Sequence, residues 1–207
     1  MTSPYERSLD LTGLDPELRA YFTGIPDGQV GVGRGVFDVV GTPRRWLWPV
    51  LALLARDGIV APVWEHTVPF VVVNRPTRDG SLVAERRFDL PGGRFTMVDR
   101  MTARHGSLID RLGHSRRVAA MFTSRVEDGA LHLRSIEVRV RIGRSWLRFP
   151  DFVSPRVDLV ESFDRTSGLQ HVAVELTLPV LGRIYEYAGS FSYAIVPERD
   201  NDERRQP

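Results

Sequence analysis

Residues His171–Pro197 read HVAVELTLPVLGRIYEYAGSFSYAIVP, and their reading decides the fold class. Val172, Val174, Leu176 and Leu178 alternate with Ala173, Glu175 and Thr177. After a break at 179–183 the apolar set moves to odd positions, Tyr185, Tyr187, Phe191, Tyr193 and Ile195, against Glu186, Ser190 and Ser192. Successive side chains of a strand point to opposite faces, so alternation with period two marks a strand with one face on a core. The pair predicts a hairpin in a curved antiparallel sheet, with its tyrosines on the buried side.

Upstream, the chain continues in the same manner. Residues 63–76, 82–90 and 94–104 read as strands separated by turn signals at Arg78, Asp79 and Gly80 and at Pro91, Gly92 and Gly93. Residues 107–113 and 116–129 extend the meander less cleanly, and Glu127, Asp128 and Gly129 turn the chain into LHLRSIEVRVRIG. Leu131 and Leu133 of that strand are odd while Ile136, Val138, Val140 and Ile142 are even, so the phase slips at Ser135 and predicts a bulge. Residues 145–156, interrupted by Pro150 and Pro155, read as a loop or edge segment, and 156–165 alternate again. Helices long enough to cross between parallel strands are missing, which makes the sheet antiparallel.

Two segments near the amino terminus break the pattern. Asp15, Pro16 and Glu17 are an N-cap, a first helical residue and a first-turn acid, and Gly24 and Pro26 end that helix. Thr42 and Pro43 lead into WLWPVLALLARDG, which stops at Gly58; Pro49 either kinks this helix or marks its true start. No polar stripe runs along it, so it is expected to close one end of the sheet or to cover an apolar cavity, with Trp46, Trp48 and Leu51 as cavity or lid residues. Between the helices, Gly31, Gly33 and Gly35 lack the preceding strand and the following helix that a dinucleotide loop requires. They read instead as a strand face closely approached by a neighbour. The fold class is therefore mainly β (α+β): a single curved antiparallel sheet or partly closed barrel of about nine or ten strands, with two helical segments near the N-terminus.

Composition bounds the chemistry. With 207 residues, 42% of them hydrophobic, the chain supports one domain, placed at 1–197, followed by a charged tail at 198–207 expected to be disordered. There is no cysteine, hence no disulfide, thiol nucleophile or thiolate metal site. There is no lysine either, which removes Schiff-base chemistry and a Walker-type lysine. A formal charge of +2 gives no footprint for nucleic acid, and no nucleic-acid partner is expected. The five histidines show no metal-site spacing, and no metal or cofactor is expected. Ser115 in GHSRR is no hydrolase nucleophile, because Arg117 stands where the elbow needs glycine. The amino terminus carries no secretory signal, and Trp46–Ala55 is too short to span a bilayer, which needs about 20 residues. A cytoplasmic protein is expected.

Charges on apolar strand parities are the informative residues. Asp99 shares the parity of Met97 and Met101, and Glu161 that of Leu159 and Phe163. An inward carboxylate needs a partner or an upward pKa shift, and Arg87, Arg111 and Arg148 are the candidates on neighbouring strands. Such a group either holds a ligand headgroup or moves a proton, or it is a structural ion pair. Tyr185 and Tyr187 either point hydroxyls into the same cavity or fill the core.

Four stretches, GRGVFDVVGTPRRWLWPVLALLA (33–55), GSLIDRLG (106–113), WLRFPDFVSPRVDLVE (146–161) and LPVLGRIYEYAGSF (178–191), resemble the bacterial family called domain of unknown function 4166. The resemblance runs nearly the full length and implies a single sheet-rich domain; the family supplies no catalytic residues. Its members are sometimes joined to a saccharopine-dehydrogenase-like nucleotide-binding domain, which implies a redox-domain protein as one partner. The leading functional expectation is a small-ligand-binding domain whose apolar cavity suits a lipid-like or aromatic molecule. One alternative is a cavity enzyme, an isomerase or cyclase using an inward carboxylate, with its catalytic residues unassigned. Another is an accessory module docking on a redox enzyme or a membrane surface through the Trp46 helix; peripheral membrane contact is not favoured.

Overall fold

The computed structural model describes residues 2–198, so all of the expected tail beyond Glu198 lies outside the described residues. Two short helices come first, α1 (Pro4–Ser8) and α2 (Pro16–Phe22), and then β1 (Gln29–Gly41). A 3-10 turn at Arg45–Leu47 leads into α3 (Trp48–Ala55). The meander follows as β2 (Trp64–Pro76), β3 (Leu82–Leu90), β4 (Gly93–Arg104), β5 (Ser107–Leu112), β6 (Val118–Glu127) and β7 (Ala130–Ile142). The chain finishes with β8 (Ser145–Arg148), β9 (Arg156–Asp164), β10 (Leu169–Leu178) and β11 (Gly182–Pro197).

The sheet closes completely. β11 pairs with β10 along one edge and with β1 along the other, so the β10–β11 hairpin is also the seam. At the far side β6 pairs with β7, and β7 serves two further neighbours: Leu131–Arg134 pair with β9 and Arg139–Ile142 with β8. The result is a closed antiparallel barrel of ten strands, with β8 as one extra strand on the rim. No helix among the described residues is long and apolar enough to cross a membrane.

The expected bulge lies in β7. Met121 pairs with Glu137 and Phe122 with Ser135, leaving Ile136 as the extra residue, 53% exposed. Leu131, Leu133 and Ser135 point inward before it and Val138 after it, so the bulge keeps apolar side chains inside on both flanks. The Ser135 hydroxyl then accepts the Val157 N–H at 2.8 Å, where β9 starts.

The glycines of β1 make the seam possible. A Cβ on Gly33 would lie 2.6 Å from Val72 Cγ1 and 2.9 Å from Phe191 Cδ2, and one on Gly35 would lie 1.9 Å from the Ser190 carbonyl oxygen. The Tyr193 ring likewise occupies the space over Gly31. These positions face inward, and only hydrogen lets the aromatic side chains of β11 cross β1.

One end of the barrel is plugged by the amino terminus. Ser3 and Glu6 form a capping box on α1, and the Ser3 hydroxyl also donates to the Phe22 carbonyl at 2.5 Å, tying α1 to the end of α2. Asp15 caps α2, donates its own N–H to the Gly129 carbonyl at 3.0 Å and pairs with Arg165, which fastens the plug to two strand turns. Tyr5, Leu14, Leu18 and Phe22 join inward residues of β4–β7 in one apolar cluster. A second cluster centres on Phe37, Phe70, Phe88 and Phe191, and Tyr21, Val157 and Leu159 pack against both. At the opposite end Pro49 sits in the first turn of α3, where its missing N–H costs nothing, so it marks the helix start rather than a kink.

Gly35→Ala should destabilise the protein by about 3 kcal/mol or more, because the backbone carbonyl it meets cannot swing away. Gly92→Ala, whose Cβ would meet nothing within 4 Å, should leave the stability almost unchanged. Thermal or urea unfolding of the two variants side by side checks this contrast.

Candidate functional site

Between the two apolar clusters the inner wall turns polar. Arg86 lies on the β3 parity of Ala84 and Phe88, and Asp99 on the β4 parity of Met97 and Met101. Ala84 is the register partner of Asp99, so Arg86 and Asp99 are diagonal neighbours, and the two form an ion pair. On β5, Asp110 points inward opposite Met101 and Ala120. Across the lumen, Glu161 of β9 and Gln170 of β10 are also diagonal neighbours, and the Gln170 amide donates to Glu161 Oε2 at 2.5 Å. Tyr187 of β11 stands edge-on to Phe37, with ring centroids 5.5 Å apart, and completes the group.

This group is short of positive charge. Three carboxyls, Asp99, Asp110 and Glu161, share one guanidinium, and Asp99 is directly paired with it. Burial pushes Glu161 up to about 7, against the opposing pull of Arg86 and the Gln170 hydrogen bond. Burial likewise pushes Asp110 up to about 6, with Arg86, the Arg100 backbone and Arg111 opposing. The Tyr187 hydroxyl is also raised by burial, against the influence of Arg86. Burial acts to lower Arg86, but its neighbours, Asp110 among them, outweigh that and the guanidinium stays charged. Asp110 Oδ1 is buried and has no hydrogen-bond partner among the described residues. A buried acceptor left open is uncommon in folded proteins and marks a place where a further donor fits.

The inner wall is not fully packed. Arg86 keeps 21% of its side-chain surface accessible while pointing into a closed barrel, and Tyr21, Asp110, Leu159, Phe163 and Tyr187 are only half-buried from the same inward positions. A ten-stranded barrel is wider than the eight-stranded size that side chains just fill. Inward side chains with residual accessible surface are what such width leaves.

The residues singled out from sequence divide accordingly. Asp99 and Glu161 are buried on the inner wall, at 5% and 6% exposure, and Tyr187 joins them. Tyr185 is buried near the α3 end, where its hydroxyl accepts the Ala61 N–H at 3.2 Å and pins the loop after α3. The three arginines expected as partners lie on the outer surface. Arg87 bridges to Glu85, Arg148 on β8 bridges to Glu137 and Asp151, and Arg111 hydrogen-bonds Thr102 in an outer groove of about 350 Å³. The inward arginine is Arg86, one residue before Arg87, because Leu82, Ala84 and Phe88 set the inward parity of β3 as even. The same alternation test applied to 107–112 would have found Asp110. Of the expected lid residues Leu51 is buried; Trp48 is half-buried, its indole N–H donating to the Thr42 carbonyl at 3.2 Å; Trp46 faces solvent, 59% exposed. Among the described residues no group of three or more His, Asp or Glu side chains is placed to hold a metal ion.

The model of the family described as Domain of unknown function (DUF4166) matches residues 14–191, from the start of α2 to the middle of β11, and the chain belongs to that family. No curated protein and no solved structure matches the chain.

A carboxyl raised from 4.5 to about 7 takes up a proton on folding. Its contribution to stability therefore falls as pH rises through that interval and is constant above it. Glu161→Gln keeps the shape and removes the titration. The variant should gain on the parent by roughly 3 kcal/mol between about pH 4.5 and pH 8, an advantage that denaturant unfolding at several pH values would register.

Proposed function

We propose that this DUF4166 barrel binds a small lipid-like or aromatic molecule in its lumen, with the polar end of the ligand at Asp110, Glu161 and Arg86. The observation that carries this reading is the open acceptor, Asp110 Oδ1, buried inside a closed barrel whose far wall holds a carboxyl poised near neutrality. Phe37, Phe70, Phe88 and Phe191 on one side, and Met101, Phe122 and Leu133 on the other, offer an apolar sleeve for the rest of the ligand. Because carboxyls outnumber the guanidinium, the polar end that fits is a hydrogen-bond donor, a hydroxyl or an amine, in preference to a carboxylate.

A second reading rests on the same carboxyl. Glu161, held near 7 and bonded to Gln170, has the proton affinity suited to abstracting and returning a proton at neutral pH, as an isomerase or cyclase would require.

Native mass spectrometry of the purified protein should reveal a copurified small molecule, and an apolar fluorescent probe should enter the barrel once it is extracted. Asp110→Asn should weaken retention of the copurified ligand by about tenfold, the cost of exchanging a charge-assisted hydrogen bond for a neutral one. The absence of both a bound mass and probe uptake would sink the binding reading. Once a ligand is identified, incubation in heavy water separates the two readings: deuterium incorporation that Glu161→Gln abolishes marks the enzyme, and no incorporation marks the carrier.

A further inference from the structure

We propose that the α3 end of the barrel docks on an anionic lipid bilayer, with the outer face of α3 and the tips of neighbouring turns seated at the headgroup boundary. The docking does not depend on what the lumen holds.

α3 lies across the end of the barrel that the amino-terminal plug leaves free. Its start is tied to the end of β1 through Trp48 and Thr42. Its end is tied to the β5–β6 turn, where the Asp57 carboxylate accepts from the Ser115 N–H at 2.9 Å and from the Ser115 hydroxyl at 2.5 Å. Leu51 turns inward and is buried, while Trp46, Val50 and Leu53 turn outward at 59%, 58% and 62% exposure. A helix covering a barrel mouth in water is expected to be polar on its outer side, and this one is apolar there.

The apolar surface continues on separate pieces of chain. Ile142 ends β7, Phe152 lies between β8 and β9, and Val180 is in the β10–β11 turn, at 64%, 68% and 82% exposure. Strand direction places them at the same end as α3: β1, β7 and β10 run toward it, and β9 and β11 start from it, as the pairs Gly41 with Glu186, Thr177 with Arg156 and Arg134 with Asp158 show. Exposed apolar side chains concentrated at one end mark an interaction surface.

Charge selects the partner. Arg44, Arg45, Arg56, Arg116, Arg117 and Arg144 stand at this end, and none of them pairs with a carboxylate among the described residues. The plugged end is acidic, with Asp10, Glu17, Asp27, Glu127 and Asp128. The barrel thus carries a charge asymmetry along its axis with the apolar tips at the positive pole. Arginines interleaved with single apolar tips and a tryptophan match a bilayer boundary, where guanidinium groups reach phosphates and the indole sits among headgroups. The centre of a protein interface is instead packed and depleted of charge.

Cosedimentation with vesicles tests this directly. The protein should bind phosphatidylcholine vesicles containing phosphatidylglycerol at low salt, and should bind them at least tenfold more weakly in pure phosphatidylcholine or at high salt. Leu53→Ser combined with Val180→Ser should lower binding at least tenfold with an unchanged melting temperature, since both side chains are exposed. Arg44→Gln with Arg45→Gln and Arg56→Gln should remove the preference for anionic lipid. Glu161→Gln and Asp110→Asn should bind vesicles like the parent, so failure of the lumen reading leaves docking intact. Absence of binding to anionic vesicles at low salt, or binding indifferent to Leu53→Ser and Val180→Ser, overturns the proposal. Dimerisation abolished by Leu53→Ser without any vesicle binding also overturns it and assigns the face to a second copy of the chain.

Discussion

The pairing of β1 with β11 is the contact on which the molecule depends. It joins residue 29 to residue 197 and closes the two ends of the meander into a barrel, leaving only the short rim strand β8 with a free edge. It is entropically expensive, because it closes nearly the whole chain into a loop, and it forms only if the two strands approach without steric obstruction. The inward face of β1 meets that requirement by carrying no side chain at Gly31, Gly33 and Gly35, over which Tyr193 and Phe191 lie. Removing side chains from a strand weakens its own propensity, and the aromatic contacts of β11 with Phe70 and Tyr21 restore the lost packing.

Closure also creates the electrostatic problem at the centre. Carboxyls on β4, β5 and β9 are brought into one enclosed volume with a single guanidinium from β3. Enclosure removes them from bulk solvent, so burial becomes the dominant influence on Asp110 and Glu161, and both hold their protons to higher pH. A purely structural core would gain by replacing such a group with apolar side chains of similar volume. Its retention in an otherwise aromatic and aliphatic barrel is what directs attention to the lumen.

The two ends of the barrel solve different problems. At one end α1 and α2 insert Tyr5, Leu18 and Phe22 into the core and are fastened by caps and by contacts with strand turns. At the other, α3 contributes one buried side chain and leaves its remaining apolar surface outside. The barrel is therefore sealed by its amino terminus and covered more lightly by α3.

Much of this was legible in the amino-acid order. Alternation located the strands and the turns between them, the phase slip at Ser135 located the bulge, Asp15 and Pro16 located α2, and the inward parity of Asp99 and Glu161 could be read directly. These are local properties, set by side-chain direction and backbone chemistry within a few residues. The arginines expected as partners of Asp99 and Glu161, namely Arg87, Arg111 and Arg148, face outward, and the inward one is Arg86, on the parity of Ala84 and Phe88. Which inward groups meet depends on register across several strands and on closure between the chain's extremes, neither of which one strand encodes. The same holds for α3: its sequence is apolar on every side, and only its attachment points at Thr42 and Ser115 decide that Leu51 is covered and Trp46 is not.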